Sequence, residues 1–305
     1  MNIFLAGGYS GNLKPLWDKM IKLHFAGTAS KHMTIYLAGE NQKTLIIKKI
    51  LMRGGVLAGE HPTKNGTQFP KNDSTDSLNI LESYYYVRNN TQFPKLLPFF
   101  ENFLLDSGAF TFMQDSKTSV NWDSYVREYA AYINKYDIQH FFELDIDSIV
   151  GIEEVERLRR LLESLTGKQC IPVWHYSRGK QYFIDMCKNY KYVALGGIVS
   201  QDIPRATYEK YFPWFIKTAH DNGAKIHGLG YTSCEGLRKY HFDSVDSTAW
   251  LYGNRGGYLY RFNPQKPAFF DKVVTPPGKR LQPQESAKHN FNEWRKLQKY
   301  AAKYL

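Results

Sequence analysis

The chain contains little cysteine. Its three cysteines, Cys170, Cys187 and Cys234, are widely separated among 305 residues and form no C-x-x-C pair. Such spacing excludes a disulfide framework and a cysteine-rich zinc site, and it is typical of reduced core thiols. No H-x-H or H-x-x-x-H spacing occurs either. We therefore expect no metal and no other cofactor.

Long apolar runs are also absent. No stretch of about 18 consecutive apolar residues occurs, the length a membrane-spanning helix needs. The N-terminus has no basic segment or cleavage site of the kind that marks a secretion signal. We expect a cytoplasmic protein that has no membrane partner.

Acidic residues are scarce near both ends of the chain, although the total net charge is +11. Residues 1–100 carry a net charge of +6, residues 101–250 carry −3, and residues 251–305 carry +8. A polyanion attracted to basic flanks around an acidic pocket would explain this distribution.

Short apolar, β-branched or aromatic segments recur along the chain, and helix-like stretches of roughly 10–18 residues separate most of them. The strand-like segments are 3–8, 78–87, 103–110, 140–149, 170–176, 192–198, 225–231 and 242–248. Eight such units predict an α/β fold, a (β/α)8 TIM-like barrel. An open doubly wound sheet is the alternative, although no G-x-G-x-x-G follows a strand.

The predicted barrel domain spans residues 1–250, with an insertion of about residues 24–76 after the first strand. Residues 251–305 form a basic C-terminal extension that ends in an amphipathic helix. Arg295, Lys299 and Lys303 recur at i, i+4 and i+8 on this helix, and Arg255 lies in a basic loop before it. We expect these four residues to contact phosphates. A docked helix with a solvated face is the alternative.

Polar residues follow the predicted strands at their carboxyl ends, where barrel enzymes hold their active sites. These residues are Asp106, Ser107, Glu143, Asp145, Asp147, His175, Gly196, Gly197, His227 and Asp246. The parity of the acids at 143, 145 and 147 places them on one face, which we expect to point toward the barrel mouth. Two converging carboxylates would supply a nucleophile and a proton-transfer group. Asp147 as a helix cap and the histidines as ordinary pocket residues are the alternatives.

Several motifs resemble those of one enzyme family. D-S-G-A-F at 106–110 resembles the D-S-G-G-F motif of tRNA-guanine transglycosylases, and residues 192–198 resemble their later G-G-L motif. The order I-P-V-x-H-Y, A-L-G-G, K-x-H-G-x-G and S-V-D-S-T-x-W is similar to the short phage branch, the 7-deazaguanine DNA transglycosylases. The resemblance covers about residues 78–250, but the zinc motif of the tRNA enzymes is absent.

The resemblance implies exchange of guanine in a nucleic acid, DNA rather than tRNA, for a 7-deazaguanine base such as 7-cyano-7-deazaguanine. The reaction would pass through a covalent sugar–aspartate intermediate in the host cytoplasm. Asp246 would be the nucleophile, with Asp243 as the alternative alignment, and Asp106 would transfer protons. The base-binding set would be Ser107, Phe110, Asp145, His175, Gly196, Gly197 and His227.

Three other functions remain open at the sequence level. They are a tRNA-guanine transglycosylase, a glycoside hydrolase-like barrel acting on another sugar, and a non-catalytic subunit that binds nucleic acid. The sequence does not indicate whether a partner protein opens the duplex.

Overall fold

The computed structural model describes residues 1–6, 17, 34–36, 56–58, 78–109, 111, 120–198, 204–231, 233–274 and 282–305. The described strands are β1 (Asn2–Ala6), β2 (Thr34–Tyr36), β3 (Val56–Ala58), β4 (Asn79–Ser83), β5 (Asn102–Asp106), β6 (Val173–Trp174), β7 (Tyr192–Leu195), β8 (Lys225–Gly228), β9 (Ser244–Ser247), β10 (Tyr258–Phe262) and β11 (Phe270–Val274).

The described α-helices alternate with most of these strands. They are α1 (Tyr84–Val87), α2 (Trp122–Lys135), α3 (Asp147–Val150), α4 (Ile152–Thr166), α5 (Gly179–Asn189), α6 (Arg205–Asp221), α7 (Cys234–Lys239), α8 (Tyr252–Gly256) and α9 (Pro283–Tyr304). Among these helices, none combines the length and the apolar character that crossing a membrane requires.

Seven parallel strands form one curled sheet in the order β5-β4-β1-β9-β8-β7-β6. The last strand of this set, β9, lies directly beside β1 and pairs Asp246 with Phe4. Single parallel bridges join Leu105 to Phe141 and Phe142 to Ile171 near the two edges. The α/β class is confirmed, and the curled sheet is a half-barrel of the TIM-like kind. Strands β2 and β3 form a separate parallel pair, and β10 and β11 an antiparallel hairpin.

The fourth predicted strand makes only these bridges. After Phe142, the side chain of Glu143 takes over a backbone role, since its Oε1 accepts the N–H of Val173 at 2.7 Å. A side chain therefore replaces a carbonyl at this position, and the ladder does not continue. The segment predicted as a strand at 78–87 also ends early, because Tyr84–Val87 is helical.

The helical period of residues 122–136 begins after Asn121 and that of residues 153–165 ends before Gly167, so the sequence predicts caps at these two residues, and both are observed. Asn121 caps α2, since its side chain accepts the N–H of Ser124 at 3.0 Å. Helix α4 ends at Gly167, whose φ of 66° lies in the left-handed region that glycine adopts without strain. The predicted insertion also contains a helix-like run at residues 44–52, which lies outside the described residues.

Alternate residues of β1 enter different cores. Ile3 and Leu5 belong to the main core, whereas Phe4 and Ala6 belong to a second cluster, which we call the interior cluster. The interior cluster consists of Phe4, Ala6, Leu81, Leu104, Phe142, Ile171, Val173 and Ala194. Its members come from neighbouring strands, so the inner face of the curled sheet is filled by side chains. Side chains in phase with this cluster point toward the axis of the sheet.

Helix α9 runs along β1 from the carboxyl ends of the strands toward their amino ends. Phe291 packs against Trp250, whose indole donates to the carbonyl of Ala6 at 3.0 Å. About two turns later, Gln298 donates to the carbonyls of Ile3 and Asn79, each at 2.7 Å. The part of α9 beyond Gln298 therefore lies at the amino ends of the strands.

This course corrects the expected role of Arg295 in the basic row. Arg295 is buried, so it does not form an exposed face with the two lysines. Lys299 is half-buried and Lys303 is exposed, but both lie beyond Gln298, at the end of the sheet remote from Asp106 and Asp246. Helix α9 is therefore docked, as the alternative predicted, and phosphate contacts by Lys299 and Lys303 stay a prediction.

We predict that Gln298→Ala lowers the free energy of unfolding by about 2 kcal/mol, because it leaves two strand carbonyls without the amide that joins them. Denaturant titration measures this loss. Lys303→Ala on the same helix removes an exposed side chain and should change stability by less than about 0.5 kcal/mol. Equal losses in the two variants would contradict the proposed docking contact.

Candidate functional site

Asp106 ends β5 in phase with Leu104 of the interior cluster, so its carboxylate faces the axis of the sheet. Its Oδ2 accepts the N–H of Gly108 at 3.1 Å. Burial raises the pKa of Asp106 to about 6, the N–H of Gly108 opposes this shift, and the negative charges of Asp145 and Asp246 add to it. Asp106 can therefore gain or lose a proton near neutral pH.

The turn after Asp106 requires a glycine. Gly108 has a φ of 75°, and a Cβ atom there would lie 2.5 Å from Cβ of Tyr85. The predicted D-S-G segment is thus a tight turn against α1. Ser107 itself is buried, and its carbonyl accepts the hydroxyl of Tyr125 at 2.6 Å. The contact of Ser107 with a base stays a prediction.

Asp246 lies on β9 with Ser244 on the same face, whereas Val245 between them enters the main core. Its Oδ1 accepts the N–H of Gly230 at 2.6 Å and lies 3.2 Å from Nε2 of His227. Within the described part of the chain, Oδ2 of Asp246 accepts no hydrogen bond. One oxygen of this carboxylate is therefore held, and the other is available.

His227 occupies a different place from the one expected. Its side chain is 0% exposed and contacts the rings of Phe4 and Phe142 in the interior of the sheet. Both ring nitrogens face polar partners, Nε2 toward Asp246 and Nδ1 toward Oγ of Ser244 at 2.6 Å. His227 thus supports Asp246 and presents no edge to a base, which corrects its predicted role.

A buried arginine gathers the acids at 143, 145 and 147. The guanidinium of Arg178, whose side chain is 1% exposed, lies 2.8 Å from Glu143 Oε1, 3.0 Å from Asp147 Oδ2 and 3.6 Å from Asp145 Oδ1. Glu143 also binds Arg159 of α4 at 2.6 Å. Both carboxylate oxygens of Glu143 therefore form ion pairs. Asp147 binds Arg178 rather than capping a helix, so neither residue points freely into the barrel mouth.

Asp145 is the most accessible of these three acids, with 27% of its side chain exposed. Nε2 of His175 lies 2.8 Å from both of its oxygens. Gly196 makes this pair possible, since a Cβ atom there would lie 2.6 Å from Nε2 of His175. The carbonyl of Gly196 accepts the hydroxyl of Tyr208 at 2.6 Å. Gly197 follows with a φ of 74°.

We call Asp106, Asp145 and Asp246, with the residues bonded to them, the acidic site. Asp243 lies outside it, at the amino end of β9, where its Oδ2 accepts the N–H of Ile226 and contacts His220.

Phe110 lies outside the described residues. The backbone of Arg255 belongs to α8, which follows β9, but its side chain is not described.

One group in the described ranges has the spacing of a metal site. Ligand atoms of Asp145, Asp147 and His175 lie within 4.8 Å of one another. The guanidinium of Arg178 contacts the same two carboxylates and supplies the positive charge that a cation would bring. The chemistry of this group is therefore that of an ion-pair cluster.

Three side chains in or behind the acidic site have no counterpart in the sequence-based set. Arg178 gave no signal, because a single arginine after a predicted strand is unremarkable. Ser244 could have been recognised, since it is two residues before Asp246 and so shares its face. Tyr192, whose hydroxyl bonds to Ser244, starts β7 on the interior face.

Comparison with known proteins yields no family model and no curated protein that matches the chain. Among solved structures, the carboxyl transferase domain of Rhizobium etli pyruvate carboxylase matches with a TM-score of 0.39 and 15% identity in its pyruvate complex. The complex of the same domain with 3-hydroxypyruvate gives 0.38 and 14%. Each alignment covers 75% of this chain and 42% of the other.

The raised pKa of Asp106 leads to a stability prediction. The folded state holds this proton more tightly than the unfolded chain, so the contribution of Asp106 to stability is fully present below about pH 4 and is lost as pH rises through about 6. Asp106→Asn should therefore raise the free energy of unfolding by about 1–3 kcal/mol at pH 8. At pH 4 the gain should nearly vanish. Denaturant titrations of both proteins at the two pH values measure the difference. An equal effect at both would contradict it.

Proposed function

We propose that the protein is a guanine transglycosylase, which exchanges guanine in DNA for a 7-deazaguanine base through a covalent sugar–aspartate intermediate. The fold we infer for it is the closed eight-stranded barrel, in which residues 141–142 stand for the fourth strand. The two bridges that link residues 141–142 to Leu105 and Ile171 support this closure. The order of the motifs from residue 78 to 250 supports the reaction.

One observation carries the proposal. Asp106 and Asp246 come from strands on opposite sides of β1 and β4, yet both side chains face the axis of the curled sheet, where the charge of Asp246 helps to raise the pKa of Asp106. Their environments differ, because Asp246 is held by a backbone N–H and a histidine whereas burial raises the pKa of Asp106. A carboxylate held by hydrogen bonds and a second carboxyl whose pKa is raised are what a nucleophile and an acid–base group need.

The chemistry follows from these two environments. Asp246 attacks C1′ of the sugar, and the electron pair of the bond from C1′ to N9 leaves with guanine. Protonated Asp106 gives its proton to the departing base. The incoming base then returns a proton from N9 to Asp106 as its nitrogen displaces Asp246 from C1′. The enzyme ends in its starting state, without a cofactor.

We assign recognition of the base to Asp145, the most accessible acid of the ion-pair cluster. Asp145 would accept from N1–H and the exocyclic amine of guanine, because a carboxylate matches that pair of donors. His175 and Arg178 hold Asp145 in place, while the turn at Gly196 and Gly197 brings backbone close to the same region. A 7-deazaguanine offers the same edge and so suits the same site.

A nucleic-acid substrate is supported by exposed rings around the site. Tyr86, Tyr176 and Tyr252 are at least half exposed, and each follows the carboxyl end of a strand by a few residues. Bases of an unpaired strand stack on such rings. The target base must leave the stack to reach Asp106 and Asp246, which single-stranded or flipped DNA allows.

The decisive experiment incubates the protein with labelled 7-cyano-7-deazaguanine and either DNA or tRNA. We expect label in DNA, and a loss of at least about a thousandfold in transfer for Asp246→Ala and for Asp106→Ala. Asp243→Asn is the matched control, because this residue lies on the same strand segment but at its other end. It should retain transfer.

The other outcomes separate the alternatives. Label in tRNA alone would make the protein a tRNA-guanine transglycosylase. Sugar cleavage without label in either polymer would favour a glycoside hydrolase. Loss of transfer in Asp243→Asn with retention in Asp246→Ala would overturn the assignment of the nucleophile.

We predict that Tyr176→Ala weakens binding of single-stranded DNA by about 5- to 100-fold, the effect expected for a lost base-stacking contact. Tyr211→Ala is the control, since Tyr211 is 50% exposed, comparable to the 56% of Tyr176, but lies on α6. It should bind normally. Titration with a fluorescent oligonucleotide measures both, and equal weakening would contradict a stacking role beside the site.

A further inference from the structure

A chain of polar groups crosses the interior of the sheet beneath Asp246. The hydroxyl of Tyr192 on β7 bonds to Oγ of Ser244 on β9. Oγ of Ser244 lies 2.6 Å from Nδ1 of His227 on β8, and Nε2 of His227 lies 3.2 Å from Oδ1 of Asp246. His227 and Ser244 are register partners in neighbouring strands, so the sheet itself sets this geometry.

One direction of donation along this chain matches a donor to an acceptor at every step. Burial raises the pKa of Tyr192, so its hydroxyl keeps a proton to donate. The carboxylate of Asp246 accepts from Gly230, and it requires a proton on Nε2 of His227 to accept from that ring as well. With the single proton of the neutral ring on Nε2, Nδ1 accepts from Ser244, and Ser244 accepts from Tyr192. Each hydrogen bond in the chain then has one donor and one acceptor.

We propose that Tyr192, Ser244 and His227 are positioning residues that hold Oδ1 of Asp246 and so present Oδ2 as the attacking atom. The inference rests on the proposed function, in which Asp246 is the nucleophile. Two donors, Gly230 N–H and His227, hold Oδ1, while no described residue bonds to Oδ2. The bond to C1′ would therefore form at Oδ2, and Oδ1 would keep both of its hydrogen bonds.

This chain of polar groups is shielded from water. His227 is 0% exposed and packed between aromatic rings, so water does not compete for its nitrogens. A histidine ring held at both nitrogens has one tautomer and one orientation. Loss of Ser244 would leave Nδ1 without its donor and remove one of the two contacts that fix the tautomer and orientation of the ring, which weakens the hold on Oδ1 without touching the substrate.

The first test needs no substrate. In histidine labelled with ¹⁵N, NMR at pH 7.5 should show His227 protonated at Nε2 and unprotonated at Nδ1. Ser244→Ala, a small deletion that avoids the risk of removing the buried ring, should shift the Nδ1 resonance and mix the tautomers. Ser247→Ala is the control, because Ser247 alternates to the other face of β9. Protonation of Nδ1 in the wild-type protein would overturn the inference.

The second test uses base transfer. Ser244→Ala should lower kcat by about 10- to 100-fold and leave KM for DNA within about twofold, since it disturbs the nucleophile rather than the binding surface. Tyr192→Phe should have a smaller effect. Because the groups act in series, Tyr192→Phe combined with Ser244→Ala should lose no more than Ser244→Ala alone.

The outcomes distinguish this inference from the function on which it rests. Losses of kcat that multiply in the double variant, or an equal loss of kcat in Ser247→Ala, would overturn the positioning role of Tyr192, Ser244 and His227. Base transfer by the wild-type protein would still support the proposed function. A wild-type protein that transfers no base would refute the proposed function, and the NMR result would still decide whether the chain holds Asp246 in one orientation.

Discussion

The structure depends on how it accommodates carboxylates that it takes out of water. A buried carboxylate needs hydrogen bonds or a countercharge, because desolvation disfavours its ionised form. Glu143 has two arginines, Asp145 has His175 beside Arg178, and Asp246 has a backbone N–H and His227. At Asp106 burial outweighs the N–H of Gly108, so the proton affinity of this one carboxyl rises into the neutral range.

This accommodation is possible because the sheet curls. Asp106 and Asp246 belong to β5 and β9, which are separated by β4 and β1 in the sheet order. In a flat sheet, four successive strands would hold the outer two about 14 Å apart. Curling points their inner faces at a common axis, where the interior cluster fills the space below and leaves the acids at the carboxyl ends. The same curling lets Tyr192, Ser244 and His227 bond across three strands.

The sequence predicted most of the regular structure. The alternation of apolar segments located seven parallel strands, and helical spacing located α2, α4 and α9 to within a few residues. The predicted strand at residues 140–149 was the exception, because the side chain of Glu143 replaces a backbone partner of Val173. No local pattern reveals such a replacement, since it requires a residue 30 positions away in the chain.

The acidic site was predicted in part and for a clear reason. Residues at the carboxyl ends of parallel strands meet at one edge, so Asp106 and Asp246 could be paired from their positions alone. The roles of Ser107, His227 and Arg295 could not be obtained in this way, because each is buried by packing that involves distant segments. The direction of α9 is a further example, since amphipathic spacing defines an inner face but not which end of the barrel the lysines reach.

The amino-acid sequence by itself determined the alternation of strands and helices and the residues that end each strand, because periodicity and caps are local properties. The tertiary structure alone decided which carboxylate is neutralised, which is held by hydrogen bonds and which has a raised pKa. Those properties depend on desolvation and on charges from other strands, such as Arg178 beside Asp145 and Asp246 near Asp106. Charge and burial act through space, and the sequence records only distance along the chain.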